Sequence, residues 1–342
     1  MSESMVVAVD GGNSKTDLAL VGADGSLIAL VRGPSCSPHR VGVEGCVDVI
    51  GRLLAEARQR AERELERALP RPAAAVVLVA GADLESEERE LAERVRGRDW
   101  ADALEIGNDT LGVLRAGSDA GFGIGVVCGA GINAIGLGPD GARATFPALG
   151  ATTGDWGGGE DVGVAALGAA VRAGDGRGPD TALARLVPSH FDLPGAEAVA
   201  LAVHRRRLEH VRLAELAPVV LDAADAGDAV ACGLRERLLE EIAALCRAAS
   251  ARALAGVERY DVVLGGSLLS RSPALGELAV ARVRAELPAA EPSVCRALPV
   301  AGSALLGLDL IGAANGAAAV VRAALAQPDG GGRAFQTTGG IT

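Results

Sequence analysis

The first forty residues alternate short apolar runs with polar turns that contain glycine. The apolar runs cover residues 5–9, 17–21 and 27–31, and turns at 10–16 and 23–26 separate them. Runs of this length bounded by turn residues predict strands, and the short connections predict that the strands pair as an antiparallel meander.

This order of elements returns in the middle of the chain. Apolar runs at 123–127 and 134–137 enclose a second glycine turn at 128–133, and an Asp-Gly signal at 139–141 precedes a third run near 142–146. The two glycine turns begin 118 residues apart, at positions 10 and 128. We therefore predict an internal duplication whose halves pack around a shared cleft.

The remaining pattern is mainly helical. Helices are predicted at 43–68, 85–96, 162–173, 179–186, 197–210, 214–226, 229–255, 274–287 and 303–326, and strands at 73–79, 103–106 and 261–264. The order predicts an α/β protein with a first domain at 1–116 and a second at 117–302, the last helix packing back on the first domain. The glycine-rich tail, 327–342, is predicted to be disordered.

Composition and charge exclude several classes of protein. Hydrophobic residues make up 49% and charged residues 23% of the 342 positions, which is enough for sizeable cores and argues against disorder. A net charge of -11 with 2% aromatic residues excludes a nucleic-acid partner, because phosphate backbones are repelled and stacking side chains are scarce. If a substrate contains phosphate, a local structure such as a glycine turn must then bind it.

The cysteines and the N-terminus indicate the compartment. The six cysteines lie far apart without a CxxC pair, which is typical of reduced, mostly buried thiols. The acidic start reaches glycines too early for a signal peptide, and no apolar stretch has the roughly 20 residues that span a bilayer. We expect a cytoplasmic protein with no membrane partner.

The turn after the first strand, Asp10-Gly11-Gly12-Asn13-Ser14-Lys15-Thr16, is the first candidate for chemistry. Its glycines would let backbone N–H groups converge on an anion, while Asn13, Ser14 and Thr16 add side-chain donors. Lys15, the only lysine of the chain, would add a compact positive charge. Asp10 is placed to hold Mg²⁺ through water, since Mg²⁺ favours few carboxylates beside phosphate oxygens. A hairpin turn of small residues without a ligand is the alternative.

Two further glycine segments have the same character. The same arrangement of glycines occurs in Cys128-Gly129-Ala130-Gly131-Ile132-Asn133. Two such turns facing each other would bind a polyphosphate from both sides. Gly265-Gly266-Ser267 would let an adenine or ribose approach the backbone closely. A tight hairpin and a plain strand-to-helix turn are the respective alternatives.

Carboxylates complete the set of candidates. Asp109, in Gly107-Asn108-Asp109-Thr110, could accept the hydroxyl proton that phosphoryl transfer to an alcohol releases, or could simply cap the next helix. In the glycine-rich segment 152–161, Asp155 could bind sugar hydroxyls, whereas Glu160 and Asp161 suit the first turn of a helix. His39 lies in a loop between strand and helix that could line the cleft.

Five of these segments together resemble a known family. VVAVDGGNSKTDLALV, GNDT, VVCGAGINAIG, GATTGDWGGG and VVLGGSLL occur in order between about residues 5 and 310. They are similar to the motifs of the BadF/BadG/BcrA/BcrD-type ATPases, the branch of the actin-like and sugar-kinase superfamily that includes N-acetylglucosamine kinase. The resemblance implies duplicated actin-like (ribonuclease H-like) domains, each a mixed sheet flanked by helices, that close over ATP.

The resemblance also implies roles for individual residues. Asp10-Gly11-Gly12 matches the first phosphate motif, Gly129-Ala130-Gly131 the second and Gly265-Gly266-Ser267 the adenosine motif. Asp109 falls where the catalytic Asp of the family stands, and Asp155 matches an Asp that binds the sugar. The predicted acceptor-binding residues are Asn108, Asp109, Asn133, Thr153, Asp155 and His39.

The sequence departs from the family pattern mainly on the acceptor side. Gly-Asp-Glu-Gly-Ser becomes Gly154-Asp155-Trp156-Gly157-Gly158, which loses an acidic residue. An Asn-His pair of the first domain is here Ser37-Pro38-His39. In the second phosphate motif Ala130 and Ile132 replace hydroxyl residues, which weakens side-chain contacts and leaves the backbone donors.

These observations lead to a functional hypothesis with alternatives. The first is an ATP-dependent hexosamine kinase acting on the 6-hydroxyl of N-acetylglucosamine, with glucosamine as the second choice of acceptor and a homodimer by family analogy. The alternative from another class is an ATPase that activates a dehydratase or reductase through an iron–sulfur cluster between two subunits. That cluster needs two nearby cysteines per subunit, and neither Cys36/Cys46 nor Cys232/Cys246 matches such a motif.

Overall fold

A computed structural model describes residues 4–314 and 316–326 and contains two five-stranded sheets flanked by helices. The strands are β1 (Met5–Gly11), β2 (Thr16–Gly22), β3 (Leu27–Gly33), β4 (Ala74–Val79), β5 (Ala103–Gly107), β6 (Gly123–Cys128), β7 (Ile132–Leu137), β8 (Arg143–Ala144), β9 (Tyr260–Gly265) and β10 (Ala290–Val294). The helices are α1 (Pro38–Leu65), α2 (Glu85–Arg96), α3 (Asp109–Gly117), α4 (Gly158–Gly174), α5 (Leu183–His190), α6 (Ala196–His204), α7 (Leu216–Asp225), α8 (Ala229–Ala253), α9 (Ser267–Arg271), α10 (Pro273–Glu286), α11 (Val300–Leu310) and α12 (Ala317–Ala324). We call the part built on β1–β5 the first lobe and the part built on β6–β10 the second lobe.

The two sheets have the same strand order. It is β3-β2-β1-β4-β5 in the first lobe and β8-β7-β6-β9-β10 in the second. In each sheet three antiparallel strands are joined by two strands parallel to the first of them. The predicted duplication is therefore confirmed, and it extends from the three predicted strands to all five.

Burial explains why these segments form strands and helices. Every residue of β2 and of β4 is buried, and continuous apolar runs are typical of strands covered on both faces. Helix α1 buries one stripe that includes Ile50, Leu53 and Ala57 and packs against β2 and β3.

Helices α3 and α11 lie between the two sheets. Helix α3 packs against β6 and α11, and α11 packs against β1. The Ser303 hydroxyl donates to the Val9 carbonyl at 2.8 Å. A Cβ atom on Gly302 would lie 1.8 Å from the Gly112 carbonyl oxygen, so this approach of the two helices requires glycine. The division of the chain at residues 116 and 117 stays a prediction.

Several predicted elements differ in the structure. The last helix is two helices, because Gly312 and Gly316 adopt φ angles of 60° and 102° that interrupt it. Strand β10 was missed, and it tolerates Pro292 because it lies at the edge of its sheet. The strand near 142–146 is only the two residues of β8, the helix predicted at 179–186 is displaced to α5, and the one at 197–210 ends at His204.

The start of α1 also differs from the prediction. The helix begins at Pro38 instead of residue 43, so His39 lies in its first turn and not in a loop. Gly42 interrupts the helical geometry with a φ of 72°, which separates this first turn from the long apolar stripe.

Three other expectations concern the whole chain. All six cysteines are free, and Cys232 alone among them is partly exposed, in agreement with the prediction of mostly buried thiols. Within the described ranges, no helix is long and apolar enough to cross a membrane. The tail predicted to be disordered, 327–342, lies outside the described residues.

Candidate active site

A cleft between the lobes collects most of the predicted site residues. Strands β1, β4 and β5 are parallel, so their carboxyl ends meet at one edge of the first sheet and face the second glycine turn. The predicted residues that line the cleft are Asp10, Gly12, Asn13, Ser14, Lys15, His39, Asp109, Gly129, Ala130, Gly131, Asn133, Asp155, Gly266 and Ser267. The predicted residues outside this lining are Gly11, Thr16, Asn108, Thr153 and Gly265.

The first glycine turn is closed by its own backbone. The N–H of Gly12 donates to the Lys15 carbonyl at 2.8 Å, and the Ser35 hydroxyl donates to the Gly12 carbonyl at 2.9 Å. The N–H groups of Asn13 and Ser14 have no backbone partner among the described residues. The predicted anion nest therefore consists of the residues after Gly12 and does not include the Gly12 N–H.

Gly11 and Thr16 face the protein interior instead of the cleft. Thr16 is fully buried, and its hydroxyl donates to the Pro34 carbonyl at 2.7 Å. A Cβ atom on Gly11 would lie 2.3 Å from the Cys36 sulfur. These contacts give both residues a role in packing beneath the turn, and the ligand contacts that the sequence predicts for them stay predictions.

Lys15 provides a positive charge at the cleft. Its ammonium group lies 3.4 Å from the carboxylate of Asp17. The buried Asp17 carboxylate is already bidentate to the Arg32 guanidinium, at 2.5 and 2.8 Å. Because the positive charge of Arg32 already balances the negative charge of Asp17, the half-exposed Lys15 can still pair with the phosphate of a ligand.

The second glycine turn is fixed by the start of α4. The Gly129 N–H donates to the Gly131 carbonyl at 2.9 Å. The N–H groups of Gly159 and Glu160 donate to the carbonyls of Gly129 and Ala130, at 2.7 and 2.9 Å. The carbonyls of the turn are thus bound by α4, whereas the N–H groups of Ala130 and Gly131 have no backbone partner within the described part of the chain.

The predicted adenosine segment lies beside this turn. Gly266 has a φ of 98°, and a Cβ atom there would lie 2.3 Å from the Cys128 carbonyl oxygen. A Cβ atom on Gly129 would lie 3.6 Å from the Ser267 hydroxyl oxygen, so the two segments are neighbours. Gly265 is buried at the end of β9, which leaves Gly266 and Ser267 to line the cleft.

Asp109 is the first residue of α3 and is not its N-cap. Asn108 is the cap, since its side-chain oxygen accepts the Thr110 N–H at 3.0 Å and the Thr110 hydroxyl at 2.6 Å. The alternative that Asp109 caps the helix is therefore wrong. Burial raises the pKa of Asp109 to about 7, against the lowering effect of the Thr110 and Asp109 backbone N–H groups. A carboxylate of this pKa suits proton transfer at neutral pH.

Asp10, at the end of β1, shares its surroundings with Asp109. Burial raises the pKa of Asp10 well above its usual value, the charges of Asp109 and Asp17 raise it further, and Lys15 lowers it. A divalent cation bound to such oxygens would offset both the burial and the repulsion. The carboxylate donors present therefore fit Mg²⁺, a hard cation, with Asp10 as its predicted ligand.

Asp155 lines the cleft from the loop before α4. The exposed Thr153 donates its hydroxyl to the Asp155 carboxylate. Trp156, which replaces an acidic residue of the family pattern, packs against the core of the second lobe and stacks under the Arg237 guanidinium, 3.9 Å from the ring centroid. The tryptophan thus anchors the loop, and its neighbour Asp155 faces the cleft.

His39 also lines the cleft, from the first turn of α1. Its Nε2 is 2.9 Å from the Glu87 carboxylate. Glu87 in turn accepts the backbone N–H groups of Asp83 and Leu84, each at 3.0 Å. The imidazole is thereby held against the start of α2.

Asp83 is a cleft residue that the sequence analysis did not identify. Its Oδ1 accepts a side-chain N–H of Asn108 at 2.6 Å and of Asn133 at 2.7 Å. Burial raises the pKa of Asp83 to about 8, the charges of Asp109 and Glu87 raise it too, and the two amides lower it. One sequence signal could have identified Asp83, namely its position shortly after β4. The parallel neighbours of this strand, β1 and β5, also have an aspartate at or just after their carboxyl ends.

Comparison with curated proteins finds kinases of amino sugars. The chain is 28% identical over 239 residues to the N-acetylmuramic acid/N-acetylglucosamine kinase of Clostridium acetobutylicum, covering 70% of this chain and 75% of the relative. It is 23% identical over 321 residues to the N-acetyl-D-glucosamine kinase of Dictyostelium discoideum, covering 90% of this chain and 99% of the relative.

The fold and the family follow from two further matches. The structure is similar to that of a candidate N-acetylglucosamine kinase from Chromobacterium violaceum, with a TM-score of 0.68, 23% identity and coverage of 90% of this chain and 100% of the other. This likeness confirms the predicted actin-like fold. The sequence model of the BadF/BadG/BcrA/BcrD ATPase family matches residues 7–307. Since that match spans most of the sequence, the chain belongs to the BadF/BadG/BcrA/BcrD ATPase family.

Proposed function

We propose that this protein is an ATP-dependent sugar kinase that phosphorylates the 6-hydroxyl of N-acetylglucosamine. The observation that carries the proposal is one cleft in which a buried carboxylate, Asp109, lies beside two glycine turns whose N–H groups include several without a backbone partner among the described residues. Membership of an ATPase family supports the use of ATP. The kinase names of the curated relatives support an amino sugar as acceptor.

Asp109 is the base in this reaction. Its carboxylate accepts the proton of the sugar hydroxyl while the hydroxyl oxygen forms a bond to the γ-phosphorus of ATP. The bond between that phosphorus and the bridging oxygen of the β-phosphate breaks, and ADP leaves. A pKa of about 7 makes Asp109 a stronger base than an ordinary carboxylate and still leaves it substantially ionised at neutral pH.

The glycine turns bind the phosphates of the nucleotide. The N–H groups of these turns that lack a backbone partner in the described part of the chain come from both lobes, so the phosphate chain is held from two sides. Lys15 contributes a positive charge, and Asp10 would hold Mg²⁺, which would neutralise charge on the phosphates when bound. Closure of the lobes around the nucleotide would exclude water and favour the sugar hydroxyl as acceptor.

Glucosamine is the second candidate acceptor, and the charge of the cleft supports it. The carboxylates of Asp155 and Asp161 line the cleft. Carboxylates in this arrangement attract a cationic 2-amino group and repel an acidic sugar such as N-acetylmuramic acid. We therefore expect N-acetylmuramic acid to be the poorest acceptor of the three.

Steady-state kinetics with Mg-ATP and each of the three sugars test the proposal. We expect the highest kcat/KM with N-acetylglucosamine and a product in which NMR shows phosphorus coupled to the C6 protons. A higher kcat/KM with glucosamine would identify glucosamine as the acceptor and would still support the kinase activity. ADP release that is the same with every sugar and without sugar would reject the kinase.

The ATPase activator of an iron–sulfur enzyme has weaker support. Cys36 and Cys46 are buried in the core of the first lobe and Cys246 in that of the second, while Cys232 is partly exposed. A cluster shared at a subunit axis needs two accessible thiolates from each subunit. Protein purified without oxygen should accordingly be colourless. The homodimer and the cytoplasmic location stay predictions.

A further inference from the structure

Asp83 binds a residue of each lobe through a single oxygen atom. Asn108 belongs to the first lobe and directly precedes Asp109, whereas Asn133 belongs to β7 and is the last residue of the second glycine turn. Oδ1 of Asp83 accepts the Nδ2–H of Asn108 at 2.6 Å and that of Asn133 at 2.7 Å. The two sides of the cleft are thus connected through one acceptor atom.

Both asparagines are also fixed at the other end of their amide groups. The side-chain oxygen of Asn108 accepts the Thr110 N–H at the start of α3, and that of Asn133 accepts the Ala134 N–H at 2.7 Å. Each amide can therefore neither rotate nor flip without losing a hydrogen bond. A displacement at Asp83 would be transmitted to α3, which carries Asp109, and to the strand that leaves the phosphate turn.

Besides the packing of α3 against β6 and the bond that the Ser118 hydroxyl donates to the Asp261 carboxylate of β9, two ion pairs among the described residues join the lobes. Arg40 pairs with Glu160, and the Arg143 guanidinium lies 3.7 Å from Glu88. These side chains are all partly exposed, and exposed ion pairs hold a geometry weakly. The bonds of Asp83 lie in the cleft itself, where removal from water makes a satisfied polar network more rigid.

We propose that Asp83 is a positioning residue that aligns Asp109 with the second phosphate turn when the lobes are closed. This inference rests on the proposed kinase function. Separation of the lobes breaks the bond to Asn133, so the base and the phosphate donors reach their working alignment only in the closed cleft. Phosphoryl transfer is thereby directed to a bound sugar and away from water.

The shared oxygen allows a sharp choice of variants. Asp83→Asn can keep both bonds through its amide oxygen, whereas Asp83→Ala removes both. We expect Asp83→Ala to lower kcat roughly 10- to 100-fold, as a misalignment of about 1 Å does, with little change in the KM for ATP. The share of ATP hydrolysed without sugar phosphate should rise. Asp83→Asn should restore most of kcat, and Asp140→Asn, in a surface turn at the Ala142 N–H, should match wild type.

Two kinetic outcomes would overturn the proposal. An equal loss of kcat in Asp83→Asn and Asp83→Ala would mean that the shared acceptor oxygen does not carry the effect, and an unchanged kcat in Asp83→Ala would mean that the bonds are dispensable. Thermal unfolding of each variant separates these results from a failure to fold.

Hydrogen exchange provides a readout that does not depend on turnover. The amide protons of Thr110 and Ala134, which bond to the two asparagine oxygens, should exchange faster in Asp83→Ala than in Asp83→Asn. Unchanged exchange at both amides would contradict the positioning role. If the wild-type protein shows no sugar-dependent ADP release, the proposed kinase function is rejected. The role of Asp83 in positioning would still be decided by the hydrogen-exchange experiment.

Discussion

The side-chain oxygen of Asn108 accepts the Thr110 N–H at 3.0 Å, so the residue before Asp109 caps α3. The Asp109 carboxylate is therefore not needed to satisfy the end of the helix and remains available at the cleft. Burial at this point, 8% exposed, keeps its affinity for a proton high. The cap and the proposed base are adjacent residues with separate tasks.

Replacement of Asp109 tests its role as the base. Asp109→Asn keeps the shape of the side chain and removes the proton acceptor, so kcat should fall roughly 10²- to 10⁴-fold. The affinity for Mg-ATP, measured by calorimetry, should change by less than about tenfold because the phosphate donors are intact. Turnover close to that of wild type would exclude Asp109 as the base.

The pH dependence of kcat/KM should report the ionisation of Asp109. The proposed base would work as a carboxylate, and the pKa of Asp109 is about 7, so the rate should rise as the pH increases through about 7 and then level off. The residual activity of Asp109→Asn should lack this rise. A wild-type profile that is flat between pH 6 and 8 would contradict the assignment.

The same carboxylate should lower the stability of the free protein. The folded pKa of Asp109 lies above its unfolded value, so the folded state binds the proton more tightly and loses stability as the pH rises from about 4 through 7. Asp109→Asn removes this cost and should raise the free energy of unfolding by about 1–3 kcal/mol at pH 8. Urea unfolding without ligand measures the difference, which should shrink toward pH 4. A variant that is less stable than wild type at pH 8 would refute this account.

Gly158 should be required for the second phosphate turn. It has a φ of 72°, and a Cβ atom there would lie 2.5 Å from the Gly131 backbone. Gly158→Ala should therefore displace the turn, raise the KM for ATP and lower the free energy of unfolding by about 1–3 kcal/mol. Gly168→Ala in the same helix is the matched control, since its Cβ would meet nothing within 4 Å. Equal kinetics in both variants would show that the contact is unimportant.

The local sequence pattern was enough to predict those parts of the site whose residues are close together in the sequence. The two glycine turns and Asp109 follow apolar strands directly, so their place at a sheet edge could be inferred from strand order and turn residues. The direction in which individual side chains point could not be predicted in this way. The Thr16 hydroxyl faces Pro34 and Gly11 packs on Cys36, and both contacts depend on the tertiary path of the chain.

Asp83 and β10 were missed for the same reason. The partners of Asp83 are 25 and 50 residues away, so no window of sequence contains the cluster. Strand β10 contains a proline and an exposed glutamate, and it forms because β9 offers a free edge to pair with. Long-range pairing overrides local propensity at both places.

The most direct test of the central claim is ADP release from Mg-ATP with N-acetylglucosamine and in a blank without sugar. The account predicts release that depends on the sugar, with one equivalent of sugar phosphate for each ADP, and its loss in Asp109→Asn. Equal release with and without sugar, unaffected by N-acetylglucosamine, glucosamine or N-acetylmuramic acid, would contradict the claim and indicate an ATPase that acts on another partner.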